Sequence, residues 1–149
     1  MENLIEWGYV GLFLASFIAA TIIPLSSEIV LSLLIANEYS LATLLGVATL
    51  GNWLGGMTSY GLGRIGNWSL LNRFFGIQRE QLIPWQNRLN QWKSLLAFFC
   101  WTPGIGDLIA VALGFFKIPL IPVSIWMFVG KLFRYLVWAF ITYWGLQFV

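Results

Sequence analysis

Two carboxylates and two cations stand in stretches of the chain that carry almost no other charge. Glu28 closes the segment Pro24-Leu-Ser-Ser-Glu28, and Asp107 closes Pro103-Gly-Ile-Gly-Asp107. A carboxylate at membrane depth costs roughly 2.5 kcal/mol or more on insertion scales, so it is kept where it is paired, protonated or facing a wet cavity. Desolvation raises a carboxyl pKa and a nearby cation lowers it, and a group balanced between the two can exchange a proton near neutral pH. Glu28 and Asp107 are therefore candidates for proton-dependent gating. The plainer reading of Glu28 is an acid in a first helical turn, stabilised by the helix dipole. Lys131 and Arg134 lie three residues apart on one face of a helical stretch. They are the natural partners of the two acids or of an anionic headgroup, since Arg binds phosphate bidentately and Lys binds it as a point charge. Their plainer reading is snorkelling to an interface.

The elements that position these groups follow from composition. Of 149 residues, 59% are hydrophobic, 17% aromatic and 9% charged, where a soluble domain carries about 25% charged residues. Mean hydropathy is +0.80. Fourteen charges cannot cover the surface of a globule of this size, so the chain reads as an all-α integral membrane protein. One cysteine excludes a disulfide scaffold, and the absence of histidine removes the usual zinc sites and His-based triads. No nucleophile with a base is evident, so no enzyme activity, cofactor or metal is expected. A net charge of +2 does not suggest nucleic acid as a partner. The first 25 residues carry Glu2 and Glu6 where a signal peptide has Lys or Arg, and are expected to stay in the mature protein.

Apolar runs at 7–23, 29–36, 94–102 and 108–116 are short and broken by proline and polar residues. Such runs suggest helices that enter the membrane and turn back. Tyr39 to Gly63 is uncharged for 25 residues, about 37 Å of helix, and reads as the clearest crossing segment. The stretch from Ile118 onward is also long enough to cross. Between the halves, 64–93 holds Arg64, Arg73, Arg79, Arg88 and Lys93 against the single acid Glu80, which puts this connector in the cytoplasm. Within it Leu82, Trp85, Leu89 and Trp92 recur at helical spacing, as in a short interfacial amphipathic helix entered at Pro84.

A shift of 79 residues lays Pro24 on Pro103, Glu28 on Asp107 and Gly51 on Gly130 without a gap. The expected organisation is one membrane domain, 1–149, built as an inverted repeat. The first repeat is 1–63, with a re-entrant hairpin at 7–37 and a transmembrane helix at 40–63. The connector is 64–93. The second repeat is 94–149, with a hairpin at 94–117 and a helix at 119–148. The hairpin tips hold Pro24, Pro103, Gly104 and Gly106. Paired interrupted segments of this kind point to a transporter's binding site. The alternative is a four-helix bundle with proline-kinked helices; if 7–23 spans, the N-terminus lies in the cytoplasm rather than outside.

Small residues at Gly51, Gly55, Gly56, Ser59, Gly61 and Gly63 let backbones approach closely, either at a hairpin or in a dimer, so a homo-oligomer is one expectation. Asn52 is the 79-residue counterpart of Lys131 and breaks the symmetry in charge. Gly61-Leu-Gly-Arg-Ile-Gly66 has the letters of a dinucleotide fingerprint but no strand before it. Asn67-Trp-Ser69 is a sequon in a cytoplasmic loop, Cys100 reads as inert packing, and Arg64 as an anchor at a helix end.

Pro24-Leu-Ser-Ser-Glu28 with its leucine-rich run, and Gly51-Asn52 leading to Tyr60-x-x-Gly63-Arg64, resemble the first hairpin and helix of the DedA superfamily (the VTT, or SNARE-associated, domain). Trp101-Thr-Pro103-Gly-Ile-Gly106-Asp107 with Ala112-Leu-Gly114 resembles its second hairpin, and Gly130-Lys131-x-x-Arg134-Tyr135 the final helix of the short YqaA-like branch. The resemblance implies paired re-entrant hairpins and a role in moving phospholipid or undecaprenyl phosphate, with proton coupling in some members. Glu28 matches the acid of the family's first hairpin. Many members carry arginines three residues before and after the second hairpin's proline; here those positions are Cys100 and Gly106, and Lys131 and Arg134 are the cations available instead. The expected function is a small transporter or scramblase of the bacterial inner membrane for an anionic lipid, with membrane lipids as its partners. The alternative is a membrane structural or assembly factor, for which the helix-packing residues Gly51, Asn52, Gly55, Gly63 and Gly130 matter and the acids do not.

Overall fold

The computed structural model describes residues 2–21, 27–66, 69, 72, 73, 76, 78, 80, 84, 93–102 and 105–148. Its main elements are α1 (Glu2–Ala19), α2 (Ser27–Ala36), α3 (Leu41–Ile65), a 3₁₀ segment (Lys93–Trp101), α4 (Ile105–Phe115) and α5 (Leu120–Leu146), and there is no strand among the described residues. The tip residues Pro24, Pro103 and Gly104, and the connector positions Leu82, Trp85, Leu89 and Trp92, lie outside the described residues.

The outer surface is apolar. On α5 alone Ile121, Ile125, Phe133, Val137, Phe140, Ile141 and Trp144 face outward. A water-soluble fold hides such a row, whereas a bilayer solvates it. Among the described residues, α5 is the one helix both long and apolar enough to cross a membrane. This corrects the expectation that 39–63 is the clearest crossing segment. At 25 residues α3 has the length, but its Gly, Ser, Thr and Asn residues dilute its hydropathy because they serve packing.

That packing is glycine-mediated. Gly51 and Gly55 of α3 lie against the backbone carbonyls of Phe13 and Phe17 on α1, and Gly63 lies against that of Val111 on α4. In return Gly114 of α4 lies against the carbonyl of Tyr60, and Gly130 of α5 against that of Phe98 in the 3₁₀ segment. A side chain at any of these places would push two backbones apart, which is how small residues hold helices together without a hydrophobic driving force. These five glycines thus serve contacts within the chain. The seam between α2 and α5 has no such contact; polar side chains join it instead, with Ser32 Oγ and Thr142 Oγ1 3.1 Å apart and Trp138 Nε1 donating to Ser32 Oγ at 3.0 Å.

The apolar run before α4 is 3₁₀ rather than α-helical over nine residues. At about 2.0 Å per residue it reaches roughly 18 Å, against about 13.5 Å for an α-helix of the same length. α2 and α4 end alike. Glu38 (φ 61°) and Lys117 (φ 55°) take the left-handed conformation, with Tyr39 N–H donating to the Leu34 carbonyl at 3.3 Å and Ile118 N–H to the Leu113 carbonyl at 3.0 Å. Both are Schellman caps, in which glycine is the usual residue.

Candidate functional site

One turn of α5 gathers the polar interior. Lys131, Arg134 and Tyr135 project from it toward three other elements. Lys131 is 1% exposed. It fits because Gly56 on α3 leaves space: a Cβ there would meet Lys131 Cε at 2.9 Å and Met127 Sδ at 2.7 Å. Its ammonium donates to Asn52 Oδ1, and Asn52 Nδ2 donates to the Ser16 carbonyl of α1 at 2.9 Å. The amide therefore presents its oxygen to the cation and its nitrogen to a backbone acceptor, which fixes its orientation.

Arg134 links α2 to the 3₁₀ segment. Its Nη2 forms an ion pair with Glu28 Oε1 in the first turn of α2, and its Nη1 donates to the Trp101 carbonyl at the end of the 3₁₀ segment at 3.2 Å. Its neighbour Tyr135 is buried, with its hydroxyl 2.8 Å from Ser27 Oγ beside Glu28. Asp107 sits in the first turn of α4, half-buried, as an electrostatic neighbour of Lys131. Glu28 thus has Arg134 as its ion-pair partner while Asp107 has Lys131 only as a charged neighbour, and the four groups balance in charge when all are ionised. A low-dielectric interior tolerates ionic groups in such a neutral set far better than any one of them alone.

The remaining residues expected at the site fall into two groups. Gly106 is buried against the Cys100 carbonyl at the start of α4, and Gly51, Gly55, Gly63 and Gly130 serve the close backbone contacts already described. Arg64 stands apart, at the end of α3, where Nη1 donates to Tyr60 Oη at 2.7 Å while that hydroxyl donates to the Ile118 carbonyl at 2.6 Å. Cys100 is buried. Sequence reasoning gave no role at the site to Ser27, Gly56, Trp101 or Tyr135, although each lies in a stretch it had singled out. Trp101 and Tyr135 stood inside the motifs that carry the family resemblance, and Gly56 stood among the packing glycines. Among the described residues, the buried Ser16 Oγ, Thr49 Oγ1 and Trp101 Nε1 have no hydrogen-bond partner.

This arrangement can exchange partners. A protonated Glu28 no longer neutralises Arg134, and the guanidinium is then open to another anion with a planar or tetrahedral set of oxygens. The chain is similar to the inner membrane protein YqaA of Escherichia coli strain K12, with 32% identity over 142 residues, 92% of this chain and 92% of the relative. The YqaA protein of Shigella flexneri matches to the same extent. An uncharacterized protein of Haemophilus influenzae is 29% identical over 139 residues, 88% of this chain and 85% of the relative. No family model matches the chain, and no solved structure does.

Proposed function

Because the chain belongs to the YqaA family of inner membrane proteins, we propose that it is a multi-pass DedA-type protein that moves an anionic lipid, a phospholipid or a lipid-carrier phosphate, across the bilayer. In this reading 1–63 and 94–149 are inverted repeats, each a re-entrant hairpin followed by a crossing helix, with 64–93 in the cytoplasm. The contacts between the halves support that arrangement. Asn52 and Lys131 are 79 residues apart and touch; two equivalent positions meet in this way when they lie on the axis relating the repeats. The pair Ser32 and Thr142 is likewise the 79-residue image of Val111 and Gly63. The hairpins also overlap in depth. Ser59, seven residues or about 10 Å along α3 from Asn52, receives the end of α1 through the Ala20 carbonyl at 3.1 Å.

The observation that carries the function is Arg134 bridging Glu28 of one hairpin and Trp101 of the other. A cation held by the start of α2 and the end of the 3₁₀ segment is placed to take a headgroup phosphate. Protonation of Glu28 opens its grip, with Lys131 and Asp107 keeping the remaining interior neutral. The α2–α5 seam, joined by side chains rather than by interlocked backbones, is the seam that opens. The α3–α4 contact, with Gly63 and Gly114 each against a carbonyl, is the fixed side. No chemical step on the lipid is required, so the protein acts as a conduit and not as an enzyme.

The test is transfer of fluorescent phosphatidylglycerol between leaflets of vesicles holding the purified protein. Arg134→Ala and Glu28→Gln should slow it at least tenfold, and Asp107→Asn should alter its pH dependence. Wild-type rates in all three variants would refute the mechanism. Absence of transfer by the wild-type chain would favour the alternative, an assembly factor whose glycine packing is its whole contribution.

A further inference from the structure

Trp101 stands out among the indoles at the helix seams. Trp53 Nε1 donates to the Ser124 carbonyl at 3.1 Å, and Trp138 Nε1 to Ser32 Oγ at 3.0 Å. The indole N–H of Trp101 is buried with no acceptor. Leaving a buried donor unmade costs about 1–3 kcal/mol, and phenylalanine would fill much of the same space without that cost. Its ring is held edge-on to Phe133, centroids 6.4 Å apart at 75°, and its own carbonyl accepts from Arg134 Nη1. An unpartnered donor and a guanidinium are therefore carried by side chains whose backbone and head group are already hydrogen-bonded to each other. Both want an acceptor, and Glu28 satisfies only Arg134.

We propose that Trp101 is a phosphate-binding residue: its indole N–H and the Arg134 guanidinium together hold the phosphate of the lipid headgroup when Glu28 lets go. A phosphodiester offers two anionic oxygens, one for each donor, and a hydrogen bond to a charged group is the stronger kind. The inference rests on the transport reading and adds to it the residue that tells a phosphate from a neutral headgroup. Trp101 is a ligand of the cargo here, and Phe133 is the positioning residue that fixes the plane of its ring.

Two measurements on the full chain test this. In vesicles, Trp101→Phe should raise the half-saturating mole fraction of fluorescent phosphatidylglycerol about tenfold while leaving the maximal rate near wild type, because one charge-assisted hydrogen bond is lost and the path is not. In micelles of wild-type protein labelled with nitrogen-15 at its indoles, the resonance missing from the Trp101→Phe spectrum should move downfield on addition of dihexanoyl phosphatidylglycerol and stay still with dihexanoyl glycerol. A Trp101 resonance unmoved by the phospholipid, in a protein whose transfer Arg134→Ala abolishes, would overturn the inference and leave transport standing. Wild-type transfer by Arg134→Ala would overturn the reading beneath it.

Discussion

Arg134→Met keeps most of the apolar stem of the side chain and deletes the charge, leaving Glu28 facing α5 without its cation. Breaking a fully buried pair from one side costs about 3–5 kcal/mol, and breaking an exposed pair costs about 0–1 kcal/mol. The side chains here are 19% exposed for Arg134 and 12% for Glu28, near the buried limit but not at it, which sets the expected loss at about 2–3 kcal/mol. Glu28→Gln should cost a similar amount, because Arg134 then keeps neutral acceptors but loses the charge that neutralises it. The double variant removes both charges and should lie within about 1 kcal/mol of wild type, a coupling of about 3 kcal/mol or more. Equilibrium unfolding in mixed micelles titrated with sodium dodecyl sulfate, followed by far-ultraviolet circular dichroism, measures all four proteins. The sign with pH is also fixed: a protonated Glu28 needs no counterion, so the penalty of Arg134→Met should shrink as pH falls. Additivity of the two single losses to within about 0.5 kcal/mol would refute the pairing.

Other substitutions separate packing from polarity. Gly114→Ala places a methyl group against the Tyr60 carbonyl and should cost about 3 kcal/mol, whereas Gly46→Ala, with nothing within 4 Å of the added atom, should gain about 0.5–1 kcal/mol in the same unfolding assay. Tyr135→Phe orphans the buried Ser27 hydroxyl and should cost about 1–2 kcal/mol, with Ser27→Ala adding little in the double variant. Glu38→Gly relieves a left-handed residue and should raise stability by about 1 kcal/mol without changing lipid transfer.

Much of the fold is written in local pattern. The breaks before Glu28 and Asp107 mark where α2 and α4 begin, because each acid lies in a first helical turn. The glycines of α3 announce close backbone contact, although spacing alone left open whether a hairpin or a second copy supplied it. Other features depend on how the hairpins fold over one another, and that is set by contacts more than 100 residues apart in sequence, such as Glu28 with Arg134 and Ser27 with Tyr135. The register did hold one unread signal. Asn52 and Lys131 were seen to be equivalent and unlike in charge, and two equivalent positions near a symmetry axis are also neighbours. The 3₁₀ arm was illegible, since apolar runs of nine residues look the same whichever helix they form. The expectation that 39–63 is the clearest span counted the absence of charge and overlooked how strongly Gly, Ser, Thr and Asn lower hydropathy.

Two hairpins entering from opposite faces, as proposed, would put the left-handed caps at Glu38 and Lys117 on opposite sides of the membrane. Single cysteines at these two positions in a Cys100→Ala chain, probed in intact cells with a membrane-impermeant maleimide, test this directly. Glu38→Cys should label from outside, and Lys117→Cys should label only after permeabilisation. Labelling of both from the same side would contradict the inverted arrangement and, with it, the meeting of the two halves at Arg134.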